Sequence, residues 1–116
     1  MKGLWYLPGD TGSKSLSSVA TGTGTASPFN HCRQVIGFIE YDPLDPPTSG
    51  VVVAEWAWTQ SYTGNWSNLT SVTLADLVAG TSDPSFTYPG GLPFVRWRFT
   101  TPSDKAITCY LNGDLN

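Results

Sequence analysis

An enzyme needs a constellation of reactive groups, and this chain offers few from which to assemble one. Its single histidine, His31, is followed directly by Cys32. A Cys–His pair is the reagent of some hydrolases. Adjacent side chains of an extended segment point to opposite faces, so these two are not expected to meet; His31 reads as a surface residue ahead of a strand. Of the nine carboxylates, Asp10, Asp42, Asp45, Asp76, Asp83, Asp104 and Asp114 fall mostly in turn-like stretches, where Asp caps backbone. Glu55 differs, standing mid-strand between Ala54 and Trp56. With Glu40 it would make a glycosidase-like pair, but an ion pair to Arg96 or Arg98 across a sheet is the expected arrangement. Asp42 and Asp45 with loop carbonyls could offer oxygens to Ca²⁺, yet their spacing lacks a full ligand set. Cys32 and Cys109 form no CxxC and are too few for zinc. No segment matches the GxxxxGKS or GxxxxGKT pattern, so a phosphate-binding loop is not expected. The expectation is a non-enzymatic chain with no catalytic residue, metal or cofactor.

Binding chemistry is better represented. Trp56, Trp58, Trp66 and Trp97 could supply a sugar-stacking platform, although a strand Trp in a small sandwich usually packs in the core. Trp66 follows the Gly64-Asn65 turn signal and is therefore the candidate ligand platform. A second candidate is the cluster Leu4, Trp5, Tyr6 and Leu7, ahead of Pro8-Gly9-Asp10. Large apolar residues at the end of a tether are a liability unless docked. They either fold back on their own domain or anchor in a neighbouring subunit, and the partner-binding role is the expectation carried forward.

The composition bounds the remaining classes. The chain has 116 residues, room for one domain. Only 13% of residues are charged, about half the usual share, while 13% are aromatic, which argues against a disordered chain. A net charge of −3 with six Lys and Arg leaves no basic stripe for nucleic acid and no polybasic membrane patch. No stretch approaches the ~20 apolar residues of a membrane-spanning helix. The first eight residues match a secretory signal poorly, because the apolar run stops at Pro8. The two cysteines could pair in one disulfide, but alternation with Ile107 and Leu111 points to Cys109 as a buried free thiol.

These groups must be positioned by strands. Residues 11–27 are dominated by Ser, Thr and Gly and cannot bury enough apolar surface to fold alone. They form either a flexible arm or a Thr-rich edge strand, and the division adopted is an extended arm over 1–27 and a β-sandwich over 28–116. Residues 33–41 read as a strand, ended by the Pro-rich loop 42–50. Residues 51–59 follow, with Val52, Ala54, Trp56 and Trp58 on one face and Val51, Val53, Glu55 and Ala57 on the other. A short strand is expected at 71–74 and one helical turn at 74–79, capped by Thr73 or Asp76. Phe86-Thr87-Tyr88 leads to the turn at Pro89-Gly90-Gly91. Residues 94–100 alternate, with Val95, Trp97 and Phe99 opposite Arg96 and Arg98. A hairpin-type loop at 101–105 precedes the last strand, 106–111, which Asn112-Gly113 terminates. The result is an all-β chain, a single antiparallel sandwich of about seven or eight strands.

Three segments in this order resemble a pattern common in small structural proteins of tailed bacteriophages. They are Thr59-Gln60-Ser61-Tyr62-Thr63-Gly64-Asn65-Trp66-Ser67-Asn68-Leu69, then Leu92-Pro93-Phe94-Val95-Arg96-Trp97-Arg98-Phe99, then Ala106-Ile107-Thr108-Cys109-Tyr110-Leu111-Asn112-Gly113. Tyr62-Thr63-Gly64 stands where that family often has Asp-Gly. The same layout is similar to discoidin-type and other sugar-binding jelly rolls. The resemblance implies a virion component assembled in the bacterial host cytoplasm, without catalytic activity. It would be a capsid decoration (cement) protein that contacts the major capsid protein or other virion proteins, and a homo-oligomer. The alternatives are a tail-, neck- or fibre-associated adaptor and a carbohydrate-binding module.

Overall fold

The computed structural model describes residues 13–114. The chain order is β1 (Ser13–Val19), β2 (Ser27–Phe29), β3 (Gln34–Tyr41), β4 (Val51–Ala57), β5 (Ser67–Thr73), α1 (Leu74–Ala79), β6 (Ser85–Pro89), β7 (Leu92–Thr101) and β8 (Ile107–Asp114). Two four-stranded antiparallel sheets stack, one ordered β1-β8-β3-β6 and the other β2-β7-β4-β5. Only β4 and β5 are consecutive strands within one sheet; every other connection passes from one sheet to the other. This is the jelly-roll order, so the expected sandwich is observed. The hairpin-type loop expected at 101–105 is a correction, because β7 and β8 lie in different sheets. Turn residues look alike in a hairpin and in an arch between sheets, so local chemistry does not separate the two.

The core follows from period-two alternation. Val95, Trp97 and Phe99 of β7 face Val35 and Ile39 of β3 and Ile107, Cys109 and Leu111 of β8 across the interior. Val52 and Ala54 of β4 are sealed, with Trp56 packed at the margin. Trp97 is 1% exposed, and its indole N–H donates to the Tyr110 carbonyl in the opposite sheet at 3.0 Å. Phe86 of β6 meets the Trp97 ring edge-on at 5.6 Å. Gly37 of β3 makes room for that contact, since a Cβ there would overlap the Phe86 ring.

Residues 13–27 do not form an arm. β1 is an edge strand paired with β8, and Leu16 is buried in the core. The 27/28 boundary is therefore corrected: it falls inside β2, and residues 13–27 belong to the sandwich. The Thr/Gly run between β1 and β2 lines the edge of β7, where the Gly24 N–H donates to the Trp97 carbonyl and the Phe99 N–H to the Gly22 carbonyl. Small residues are required for this passage. A Cβ on Gly24 would overlap the Ser15 hydroxyl and carbonyl, and that hydroxyl accepts the Trp97 N–H at 3.1 Å. Leu4, Trp5, Tyr6 and Leu7 lie outside the described residues.

Two further boundaries move. β5 starts at Ser67, earlier than expected, because it pairs with β4 along its whole length. Asn112-Gly113 does not end a strand. β8 continues to Asp114, whose carboxylate accepts from Arg33 Nε at 3.1 Å and Gln34 Nε2 at 3.0 Å. Asn112 is fully buried, and its side-chain amide has no hydrogen-bond partner among the described residues. The helical turn is α1 as expected: Thr73 occupies the N-cap without a side-chain cap bond, and Gly80 closes the helix in the left-handed conformation.

Gly24→Ala is expected to cost about 2 kcal/mol of stability through overpacking against Ser15, read from chemical denaturation. Cys109 and Cys32 are both buried and no disulfide joins them; burial pushes the Cys109 thiol up to about 12. Cys109 should therefore resist thiol reagents in the native protein and react only on unfolding, which a colorimetric thiol titration with and without denaturant checks.

Candidate functional site

His31–Cys32 and Glu40–Glu55, the pairs considered for catalysis and not expected to act, do not share a surface among the described residues. His31 is exposed beside the buried Cys32. Glu40 and Glu55 stand on different sheets, and Glu40 accepts the Tyr110 hydroxyl at 2.8 Å. Asp42 accepts the Leu44 N–H within its own loop, and Asp45 pairs with Lys105 at 3.0 Å. Asp104 ties down the same loop by accepting the Thr48 hydroxyl and the Thr48 and Ser49 N–H groups. These bonds hold its carboxyl down to about 2. Among the described residues no group of three His, Cys, Asp or Glu is placed to hold a metal ion.

The expected ion pair of Glu55 is present and doubled. Glu55 sits on the outer face of β4, in register with Arg96 of β7, yet is only 3% exposed. Its Oε2 accepts from Arg96 Nε at 2.8 Å and Arg98 Nε at 2.9 Å, and Oε1 accepts from Arg98 Nη2 at 3.1 Å. Burial pushes the Glu55 carboxyl up, but the hydrogen bonds and charges of Arg98 and Arg96 outweigh it and hold the group below its ordinary value. The Arg98 guanidinium is raised by the same bonds. Trp66 covers Arg96, whose guanidinium carbon lies 3.8 Å from the ring centroid. Its indole N–H donates to the Tyr62 carbonyl at 3.0 Å. Trp66 thus lines a recess of about 500 Å³ with Glu55, Gly64, Asn65, Arg96 and Arg98. One face of its ring is occupied by Arg96, which limits it as a bare stacking platform.

The open aromatic is Trp58, which is 73% exposed and follows directly from β4. It meets Trp56 edge-on, with centroids 5.2 Å apart and planes at 79°. The two line a second recess of about 410 Å³ with Asn30, Tyr88, Gly91, Leu92 and Pro93. The recess therefore gathers the end of β4, the β2–β3 connection and the β6–β7 turn. Alternation placed Trp58 with the core-facing residues, but β4 ends at Ala57 and its inward face stops there. The signal available in the sequence was the polar run Thr59-Gln60-Ser61 directly after Trp58.

One loop, residues 58–66, borders both recesses. Gln60 ties it to the sandwich by donating to the Ala26 carbonyl at 2.9 Å. Gly64 lies against the Tyr62 ring, where a Cβ would not fit.

No family model matches the chain, and no curated protein matches it. Solved structures do. The K2 cleaved adhesin domain of Lys-gingipain is similar with a TM-score of 0.50 and 16% identity, covering 89% of this chain and 68% of that one. The K1 cleaved adhesin domain of Lys-gingipain from Porphyromonas gingivalis W83 is similar with a TM-score of 0.51 and 15% identity, covering 97% and 82%. At these identities the likeness is one of fold.

Glu55→Gln is expected to lose about 2 kcal/mol, because two half-buried guanidiniums lose their shared charge. The lowered Glu55 pKa means its contribution is complete above pH 4.5, the ordinary value, and is lost as pH falls through the folded value. The gap between wild type and Glu55→Gln in urea melts should therefore close in acid.

Proposed function

We propose that this chain is a non-catalytic binding domain that holds a carbohydrate on the aromatic recess at the end of the sandwich. The observation that carries this reading is Trp58, a large apolar ring left 73% exposed beside Trp56 and Tyr88. An exposed indole carries an unfavourable hydration cost that a ligand removes. A pyranose has one face of C–H bonds, weakly positive, which suits the negative face of an indole. Its hydroxyls need partners that donate and accept, and the Asn30 amide at the rim does both. The perpendicular Trp56 and Trp58 form a corner, a shape that grips a ring from its face and its edge. That the similar structures are adhesin domains agrees with a binding role.

The proposal is tested by titrating neutral oligosaccharides into the protein and following tryptophan fluorescence and heat. Trp58→Ala should weaken binding by roughly tenfold or more, with thermal stability unchanged because the ring is exposed. Absence of binding to any saccharide in a broad glycan array, or full binding by Trp58→Ala, would refute it.

A second reading, a virion structural protein docked on neighbouring subunits, is favoured by the place of β1. It is an edge strand, and apart from the Ser15 carbonyl, which accepts the Thr25 N–H, its outer backbone is a template for another chain. Leu4, Trp5, Tyr6 and Leu7 precede it in sequence. A chain lacking residues 1–12 should then fail to copurify with phage particles while remaining folded; unchanged incorporation would end this reading.

A further inference from the structure

The charges of this chain are few, and two of its cations have one carboxylate each. Arg33 pairs with Asp114 and Lys105 with Asp45. The outer face of the second sheet departs from that pattern. There, two guanidiniums share the single carboxylate of Glu55. The excess is one positive charge, in a chain whose net charge is −3. It is also held in a fixed geometry. Glu55 takes both Nε atoms and one Nη of Arg98, and Trp66 stacks on Arg96. The hydrogen bonds of Arg96 and Arg98 to Glu55 use the Nε of both and Nη2 of Arg98, which leaves both Nη groups of Arg96 and Nη1 of Arg98 outside that pairing. The side chain of Arg96 is only 20% exposed, and that of Arg98 38%, so water solvates these donors incompletely.

We infer that this recess binds the carboxylate of an acidic saccharide such as a uronic acid. Two guanidinium forks on one strand, oriented in advance by a buried carboxylate, match the planar two-oxygen geometry of a carboxylate. Their orientation is set before binding, which reduces the ordering cost when the anion arrives. The rest of the recess suits a sugar ring better than an acidic peptide. Asn65 and the backbone at Gly64 offer polar partners for hydroxyls, and the recess has no apolar groove for peptide side chains, its one large apolar surface being Trp66. Position agrees: the loop that carries Trp58 at its start carries Trp66 at its end, so one ordered segment borders both recesses. The inference rests on the carbohydrate reading and adds the charge of the ligand and the residues that select it.

The test uses the full chain with three probes: a glucuronate oligosaccharide, a neutral glucose oligosaccharide of equal length, and a short polyglutamate peptide. Isotope-edited NMR follows the Trp66 indole N–H in the unmodified protein, so the first readout needs no variant. The acidic saccharide should shift that signal and bind roughly tenfold tighter than the neutral one. The preference should weaken as salt is raised. Arg98→Gln should abolish the preference without abolishing binding of the neutral probe, and Arg98→Lys should retain only part of it. Equal binding of acidic and neutral saccharides overturns this inference and leaves the carbohydrate reading standing. Binding of neither saccharide overturns both. Binding of polyglutamate alone overturns the inference in favour of a peptide ligand.

Discussion

The structure depends on Trp97 facing inward. Its ring fills the centre between the sheets, and its indole N–H reaches the Tyr110 carbonyl on the opposite side. Its own backbone is claimed as well: the N–H by Ser15 of β1 and the carbonyl by Gly24 of the β1–β2 connection. One residue therefore joins β7 to β8, to β1 and to the segment that passes from one sheet to the other. A buried indole N–H left without an acceptor would be costly, so the register of β7 against β8 has little freedom. That constraint explains why the chain beside Trp97 is made of Ser, Thr and Gly. Only small side chains let the backbone come close enough to make these bonds.

The outer face follows from the same orientation. Once Trp97 points inward, its neighbours Arg96 and Arg98 must point outward, because a strand alternates. Two adjacent cations on one face repel unless an anion lies between them. The pairing of β4 with β7 puts Glu55 opposite Arg96, and this carboxylate closes the triad. The interior thus dictates where the charged cluster stands, and the cluster then holds Trp66 and the end of the β4–β5 loop. The aromatic corner of Trp56 and Trp58 arises at the other end of that loop, where β4 stops and its inward face reaches the rim.

Much of this was legible in the chain. The strands expected over 33–41, 51–59 and 94–100 are present, the second ending earlier at Ala57, as are the opposed faces of β7 and the contact of Glu55 with the arginines. Asp42 and Asp83 are turn residues as read, each accepting a backbone N–H two positions on, whereas Asp114 lies in β8 and Asp76 in α1. Three features were not legible. Asn112-Gly113 has the chemistry of a turn, but the anchor of Asp114 on Arg33 and Gln34, distant in sequence, keeps it extended. The stretch 13–27 has the composition of a linker, but its value is in its small size beside Trp97. Trp66 looked like the open aromatic and Trp58 like a strand residue, because a guanidinium stacked on one ring and the end of β4 at the other are set by pairing partners.

By itself, then, the sequence determined the class of fold and the division of the strong strands into two alternating faces. These are local properties, written in a period of two residues and in the chemistry of turns. The tertiary structure decided which strands share a sheet, that β7 and β8 do not, and that two arginines share one glutamate beneath a tryptophan. It also decided which tryptophan remains open. Those outcomes depend on contacts between residues tens of positions apart, where the cost of closing a loop is balanced against packing on a particular partner. No local pattern carries that balance, and in a jelly roll nearly every connection passes between sheets.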